Sequence, residues 1–155
     1  MLAFIAAVGI GCLVHGAAPT PGEMATAAEW AAAKFAGESV PGFDGAPFFS
    51  FTCGGKASAD LLPSWTVTRA TEALDARRAR HTVTWTDPET GLEVRCDGVR
   101  YLDFPTVEWT LHFRNTGAAD TPLLENVRAV DTAFRRDPHS EFLMRGIRNV
   151  RVEMN

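Results

Sequence analysis

The stretch that decides the fold is HTVTWTDPETGLEVRCDGVRYLDFPTVEWTLHF, which runs from His81 to Phe113. Within it, residues 81–86, 92–97 and 106–113 alternate apolar and polar side chains. Period-two alternation is typical of a strand with one buried and one wet face, and the β-branched and aromatic residues favour strands further. We therefore predict an antiparallel sheet with an aromatic core. The predicted core-facing residues are Val83, Trp85, Leu92, Val94, Cys96, Val107, Trp109, Leu111 and Phe113.

The segments between these runs predict turns. Asp87–Gly91 has Asp first, Pro second and Gly last, which suits a type I turn that closes a hairpin. A short loop should follow Asp97. The segment Asp103–Pro105 should break the chain before the third run, and Asn115–Gly117 should end that run. The charged segment Asp75–Arg80 is predicted to be an exposed turn leading into the sheet.

Further strands are predicted on either side of this stretch. Phe48–Thr52 is a short candidate that Gly54-Gly55 would turn, and Trp65–Ala70 also alternates. Leu123–Phe134 alternates poorly, which indicates either a strand covered on both faces or a strand with a bulge. Val150, Val152 and Met154 could line one face of a last strand. A sheet that ends there would leave an unpaired edge open to self-association.

One helix is predicted, from Thr20 to Phe35. Thr20 as N-cap, Pro21 as the first helical residue and Glu23 as the third form a capping box, and Gly37 can end the helix. Its apolar stripe consists of Met24, Ala28, Ala31 and Phe35. Trp30 widens the buried face, so we expect it to pack on the sheet and not to bind a ligand.

Length and charge limit the function classes. A chain of 155 residues suggests one domain, and a formal net charge of −4 gives no basic face for nucleic acid. The apolar run Leu2–Val14, followed by small residues, resembles a secretory signal peptide, although no Lys or Arg precedes it. Gly11-Cys12 leaves a lipoprotein anchor as an alternative. A mistaken start or a buried helix is a further alternative. We expect a secreted or periplasmic protein.

Cysteine and metal chemistry are weakly represented. Cys53 and Cys96 could form one bridge in an oxidising compartment or remain buried free thiols; the position of Cys96 on an apolar face favours the second. No CxxC or HxxxH spacing of metal ligands is present, so we expect no cofactor. Gly54-Gly55-Lys56 lacks the spacing of a phosphate-binding loop.

Candidate catalytic groups were sought among carboxylates and histidines. A retaining glycosidase needs two carboxyl groups about 5–5.5 Å apart. Glu108, Glu125 and Asp131 are the candidates by position, but an outward Glu108 and a structural, hydrogen-bonding Asp131 are the simpler interpretations. The histidines considered are His81, His112 and an exposed His139, and the basic cluster Arg77, Arg78 and Arg80 is expected to be solvated. No G-x-S-x-G elbow is present, and we assign no catalytic, cofactor-binding or metal residue.

Three stretches carry a family resemblance: PFFSFTCGGKAS (Pro47–Ser58), HTVTWTDPETGLEVRC (His81–Cys96) and DFPTVEWTLHFRNTGAADTPLLENVRAVD (Asp103–Asp131). Together they resemble the N-terminal β-sandwich of bacterial α-galactosidase-like enzymes of glycoside hydrolase family 36, over residues 24–142. The resemblance implies a mainly β fold, an antiparallel, supersandwich-like β-sandwich, whole or incomplete, with one N-terminal helix. It also implies a protein concerned with terminal α-galactosides, which the family hydrolyses by a retaining two-aspartate mechanism.

The resemblance does not bring catalytic residues with it. The family's aspartates belong to a (β/α)8 barrel of about 250 residues, which this chain is too short to contain. We therefore expect a non-catalytic sandwich, from a truncated or frame-shifted gene. Its parts would be a signal peptide (1–18), a capping helix (19–37), the sandwich (38–142) and a divergent tail (143–155). The alternatives are a secreted stand-alone carbohydrate-binding module, whose inward tryptophans argue against it, and a small complete enzyme.

Overall fold

The computed structural model describes residues 18–132. Helix α1 (Pro21–Ala31) begins as predicted: Glu23 N donates to Thr20 Oγ1 over 3.2 Å, and Thr20 N donates to Glu23 Oε2 over 2.7 Å. It continues as a π-helical turn (Ala32–Ala36) and ends at Gly37, whose φ of 74° favours glycine. The predicted capping box and the stop at Gly37 are both confirmed.

Within residues 18–132, seven strands and two short helical segments follow the helix. The strands are β1 (Ser50–Cys53), β2 (Lys56–Ala57), β3 (Thr66–Ala73), β4 (Arg78–Thr86), β5 (Leu92–Tyr101), β6 (Val107–Asn115) and β7 (Leu124–Arg128). Helix α2 (Ser58–Leu61) and a 3-10 turn (Leu62–Ser64) lie between β2 and β3. All strands pair antiparallel, in a three-stranded sheet of order β2-β1-β7 and a four-stranded sheet of order β3-β4-β5-β6. The mainly β, sandwich-like fold class is therefore confirmed.

Two different elements cover the inner face of the four-stranded sheet. The helical segment covers one part: Phe35 stacks on His81 of β4 with ring centroids 5.2 Å apart, and Trp30 stacks on Trp109 of β6 at 5.5 Å. Towards the other end, Phe51 of β1 meets Phe113 edge to face at 5.4 Å. The second layer is thus part helix and part small sheet. The residues that are almost fully buried between the layers are Phe35, Phe48, Leu92, Val83, Val94 and Cys96.

The alternation predicted for the central strands is confirmed. Val83 and Trp85 of β4 and Leu92, Val94 and Cys96 of β5 are buried. Along β6 the four apolar residues are half-buried and pack on the core, while the residues between them are exposed. The difference arises because β6 is an edge strand of the sheet.

Two predicted boundaries are wrong. Strand β4 begins at Arg78 and not at His81, because β5 pairs with both Arg78 and Arg80 and β3 pairs with Arg80. Their charged ends stay solvated, so the side chains do not oppose the strand. Strand β5 continues through Gly98 to Tyr101, where a loop was expected after Asp97. Gly98 is retained inside the strand because Phe35 occupies the space above it.

Strand β7 decides between the two interpretations of residues 123–134. It is largely exposed, so the strand covered on both faces is excluded, and its pairing with β1 shifts register between Ser50 and Thr52. Asn126 adopts a φ of 52° there, as one residue of an irregular pair often does. The predicted bulge is therefore confirmed.

Several predictions lie outside the described residues. These are the signal peptide apart from Ala18, His139, the strand Val150–Met154, and the divergent tail. Among the helices of residues 18–132, none combines the length and apolar character needed to cross a bilayer.

Candidate functional site

A depression of about 700 Å³ crosses the outer face of the four-stranded sheet. Its walls come from the polar rows that alternate with the core-facing rows, so the same pleat builds the core and this surface. Cross-strand register places Thr82 opposite Asp97, and Asp97 opposite Thr110. Around this row the lining includes Glu72, Arg80, Arg95, Glu108 and His112. The size suits a small polar ligand.

Asp97 is the centre of this surface. Its carboxylate accepts a hydrogen bond from Thr82 Oγ1 over 3.1 Å and pairs with Arg95 Nη2 at 3.0 Å. His112 Nε2 lies 3.2 Å from Asp97 Oδ2. Three side chains from three adjacent strands are therefore held on one acceptor. This arrangement keeps the guanidinium and the imidazole in defined positions at the floor of the depression.

The rim of the depression is built from two further pairs. Arg80 Nη1 contacts Glu72 Oε1 at 2.9 Å between neighbouring strands. Tyr101 Oη donates to Glu108 Oε1 over 3.1 Å, and this hydrogen bond raises the pKa of Tyr101. Each acidic side chain that lines the depression, namely Glu72, Asp97 and Glu108, thus has a hydrogen-bonding or ionic partner. The surface offers ordered donors and acceptors for binding, and within residues 18–132 no three His, Cys, Asp or Glu side chains converge as metal ligands would.

The three candidate carboxylates do not form a catalytic pair. Glu108 is exposed on the outer face of β6, as the simpler interpretation predicted, whereas Glu125 is exposed on β7 of the other sheet. Asp131 accepts a hydrogen bond from Ser50 Oγ, and its own N–H donates to Phe48 O over 2.7 Å. Its predicted structural role is confirmed, because these bonds tie the chain after β7 to β1.

The two described histidines have opposite environments. His112 faces the depression, as its position on the polar side of β6 predicted. His81 is buried and stacks on Phe35, with its Nδ1 lying 3.1 Å from Thr71 Oγ1. Burial lowers the pKa of His81, and the nearby Arg100 lowers it further. His81 Nε2 has no hydrogen-bond partner among residues 18–132, which is a cost that the neutral ring minimises.

The tryptophans serve mainly the core, although Trp109 also lines the depression. Trp85 is 5% exposed and meets Phe49 edge to face. The indole of Trp109 packs on Trp30 and Phe48, and its Nε1 donates to Ala129 O over 2.8 Å. The packing role predicted for Trp30 is confirmed. The depression is therefore lined mainly by hydrogen-bonding groups, and Trp109, which also lines it, is held by these core contacts.

The structure also shows the state of the two cysteines and the partners of the surface arginines. Cys53 and Cys96 are both buried and free, so the bridge is excluded in this structure. Burial, and then the charge of Asp97, raise the pKa of Cys96 to about 12. The basic cluster is solvated as predicted, and each arginine faces an acid. The closest atom pairs are Arg77 to Asp103 at 3.6 Å, Arg78 to Asp75 at 2.7 Å and Arg80 to Glu72 at 2.9 Å.

Sequence reasoning missed the group at Asp97. Alternation places Thr82, Arg95, Asp97 and His112 on the polar faces of their strands, but it does not show which of them are neighbours. A signal was present, since Arg95 and Asp97 share one face two residues apart. The register that brings Thr82 and His112 beside them is visible only in the structure.

The comparisons with known proteins give no relative. No family model matches this chain, and no match was found among the curated proteins or the solved structures.

Proposed function

We propose that this chain is the non-catalytic N-terminal β-sandwich portion of an α-galactosidase-like glycoside hydrolase, exported to the periplasm or the exterior. In that role it would support a catalytic barrel that acts on galactoside-type carbohydrate, while the two aspartates that do the chemistry lie in the barrel. Its own contribution is to fold as a rigid body against which the barrel packs.

The observation that carries the proposal is where the resembling stretches lie. Pro47–Ser58 includes β1 and β2, His81–Cys96 includes residues 81–86 of β4 and the first half of β5, and Asp103–Asp131 includes β6 and β7. These stretches thus supply strands to both sheets and both partners of three aromatic contacts between the layers. A resemblance spread over a whole packing unit supports common architecture better than one confined to a surface motif.

The decisive experiment concerns the DNA that follows the codon for Asn155. We expect it to encode a barrel in the same or a neighbouring frame. Joining the frames into one polypeptide should give hydrolysis of nitrophenyl α-galactoside, and replacing either barrel aspartate should abolish it. The purified 155-residue chain should not turn over this substrate. Turnover by that chain, or downstream DNA that encodes no barrel, would refute the proposal.

The depression around Asp97 favours a second candidate, a stand-alone carbohydrate-binding module. Its ordered hydroxyl, guanidinium and carboxylate groups are of the kind that hydrogen-bond sugar hydroxyls, although the inward tryptophans weigh against it. Affinity electrophoresis in galactomannan gels tests this function. Retardation that falls roughly tenfold in Asp97→Ala, but not in the exposed turn variant Glu89→Ala, would favour the module. Equal migration of the wild-type chain with and without polysaccharide would exclude it.

A further inference from the structure

The two edges of the four-stranded sheet differ in their protection against pairing with another strand. Natural edge strands are often protected by a charged residue in the row that faces the core. Edge strand β3 has Arg69 in that row, and the Arg69 guanidinium packs so closely on Gly37 that a Cβ there would lie 3.0 Å from Arg69 Cζ. Edge strand β6 instead has four half-buried apolar residues in its core-facing row: Val107, Trp109, Leu111 and Phe113.

The other two edges in the described part of the chain are poor templates for pairing. Strand β2 has only two residues, and β7 has five and is interrupted by the irregular pairing with β1. Strand β6 has nine residues and pairs with β5 without a register shift. Among residues 18–132, β6 is therefore the long, regular edge that has no charged residue in its core-facing row.

The ladder with β5 determines which backbone N–H and C=O groups of β6 point out of the sheet. At one end of the ladder Tyr101 N donates to Thr106 O over 3.0 Å, and at the other Thr116 N donates to Gly91 O over 2.9 Å. Because hydrogen-bonded pairs recur every second residue in an antiparallel ladder, the even-numbered residues of β6 point towards β5. The odd-numbered residues point away from β5, and among residues 18–132 no other strand pairs with them.

We propose that β6 pairs antiparallel with β6 of a second copy of this chain, with Leu111 on the two-fold axis. The sheets of the two copies would then be continuous. The nine residues of the strand give five opposed odd-numbered pairs, with two hydrogen bonds in each. This inference goes beyond the proposed function and does not depend on it.

Charge and shape both select this register. With Leu111 on the axis, Glu108 lies opposite Arg114 of the second copy on the outer face, and this pairing occurs twice. On the inner face Trp109 lies opposite Phe113, a pairing of large aromatic residues that stabilises antiparallel strands. Moving the axis by one residue opposes Glu108 to His112 or to Thr116 and loses the arginine pairing. The self-complementarity required of a two-fold interface is therefore present in the sequence of β6.

Charge reversal of the full-length chain tests the interface by analytical ultracentrifugation. The wild-type chain should show a concentration-dependent dimer. Glu108→Arg and Arg114→Glu each place two like-charged pairs in the interface, and each should raise the dimer dissociation constant about tenfold. Combining the two substitutions restores opposite charges and should restore dimerisation. Glu38→Arg makes the same charge change in an exposed residue beside Gly37, on the β3 side, and should have no effect.

Circular dichroism of each variant ensures that only folded chains are compared. A wild-type chain that stays monomeric at all concentrations would refute the proposal. So would a combined variant that dimerises no better than the single variants, because the specific pairing of Glu108 with Arg114 would then have no role.

Disulfide trapping tests the register independently. The proposed axis places Thr110 opposite His112 of the second copy in a non-hydrogen-bonded pair, whose Cα atoms lie about 4.5 Å apart, within disulfide range. Oxidation of the Thr110→Cys/His112→Cys variant should therefore give a covalent dimer on a non-reducing gel. Thr110→Cys alone and His112→Cys alone should cross-link far less. Equal cross-linking by a single variant, or none by the double variant, would overturn the register.

Discussion

Replacing Gly98 with alanine tests how the helical segment is seated on the sheet. Gly98 lies in the middle of β5, between His81 and Trp109 of the adjacent strands. A Cβ built on it would lie 2.4 Å from Phe35 Cζ, and two further ring carbons would be within 2.9 Å. These separations are well below contact distance, so the methyl group and the ring cannot share the space.

The ring of Phe35 has little room to move away. It is 1% exposed and is enclosed by Trp30 at 5.6 Å, Phe48 at 5.5 Å and His81 at 5.2 Å between ring centroids. Overpacking of a filled core costs about 1–3 kcal/mol. Alanine recovers about 0.4–1 kcal/mol by restricting the unfolded chain. We therefore expect Gly98→Ala to lower the free energy of unfolding by about 1–2 kcal/mol.

Urea unfolding of the full chain, followed by tryptophan fluorescence, measures this loss. Gly22→Ala is the matched control, because a Cβ there meets nothing within 4 Å and the site is helical; it should be neutral or stabilising. The double variant Gly98→Ala/Phe35→Leu should be more stable than the sum of the single effects by about 1 kcal/mol, since the clash is then relieved. A Gly98→Ala chain as stable as the wild type, or strictly additive effects, would refute this account of the core.

Three further predictions follow from local contacts. Burial lowers the pKa of His81, so the unfolded chain takes up the proton first as the pH falls. The free energy of unfolding should therefore fall as the pH drops below about 6.5. Urea titrations at several pH values should show a less steep fall in His81→Phe. Thr20→Ala removes the acceptor for Glu23 N and should lower the free energy of unfolding by about 1 kcal/mol, unlike the mid-helix control Thr26→Ala. Iodoacetamide should label Cys96, whose pKa is about 12, slowly until urea unfolds the chain, as measured by peptide mass spectrometry; rapid native labelling would contradict its burial.

Much of the fold was predictable because local rules dominate it. Alternation along β4, β5 and β6 assigned the buried face, and that face is buried. The capping box at Thr20 and the stop at Gly37 needed only neighbouring residues, and both are present. In these elements the tertiary structure reinforces the local preference.

The boundaries failed where tertiary contacts override local signals. Gly98 resembles a strand breaker in the sequence, yet it lies inside β5 because a phenyl ring from a residue 63 positions earlier, Phe35, fills its side-chain space. Arg78 and Arg80 resemble a turn, yet β5 pairs with both of them and β3 pairs with Arg80. Such constraints involve residues distant in sequence and leave no local periodicity.

The candidate site was less predictable than the core because it depends on register. The group on Asp97 requires Thr82 and His112 to lie beside it, and each comes from a different strand. A one-residue slip of either neighbouring strand would move these side chains to the inner face. The same slip would turn Val83 of β4, or Leu111 of β6, towards water.

Core and surface are therefore two consequences of one register, and this constrains how the outer face can vary. The core contacts of β4, β5 and β6 hold the register even when an outer residue is replaced, since Val83, Val94 and Cys96 are fully buried. The depression around Asp97 can then change its hydrogen-bonding groups without loss of the fold. The unprotected row of β6 has no such freedom, because its apolar residues contact the core while their backbone groups face the open edge. Substitutions in that row should alter stability and self-association together, whereas those at Thr82, Arg95 and Asp97 should alter only the hydrogen-bonding groups of the depression.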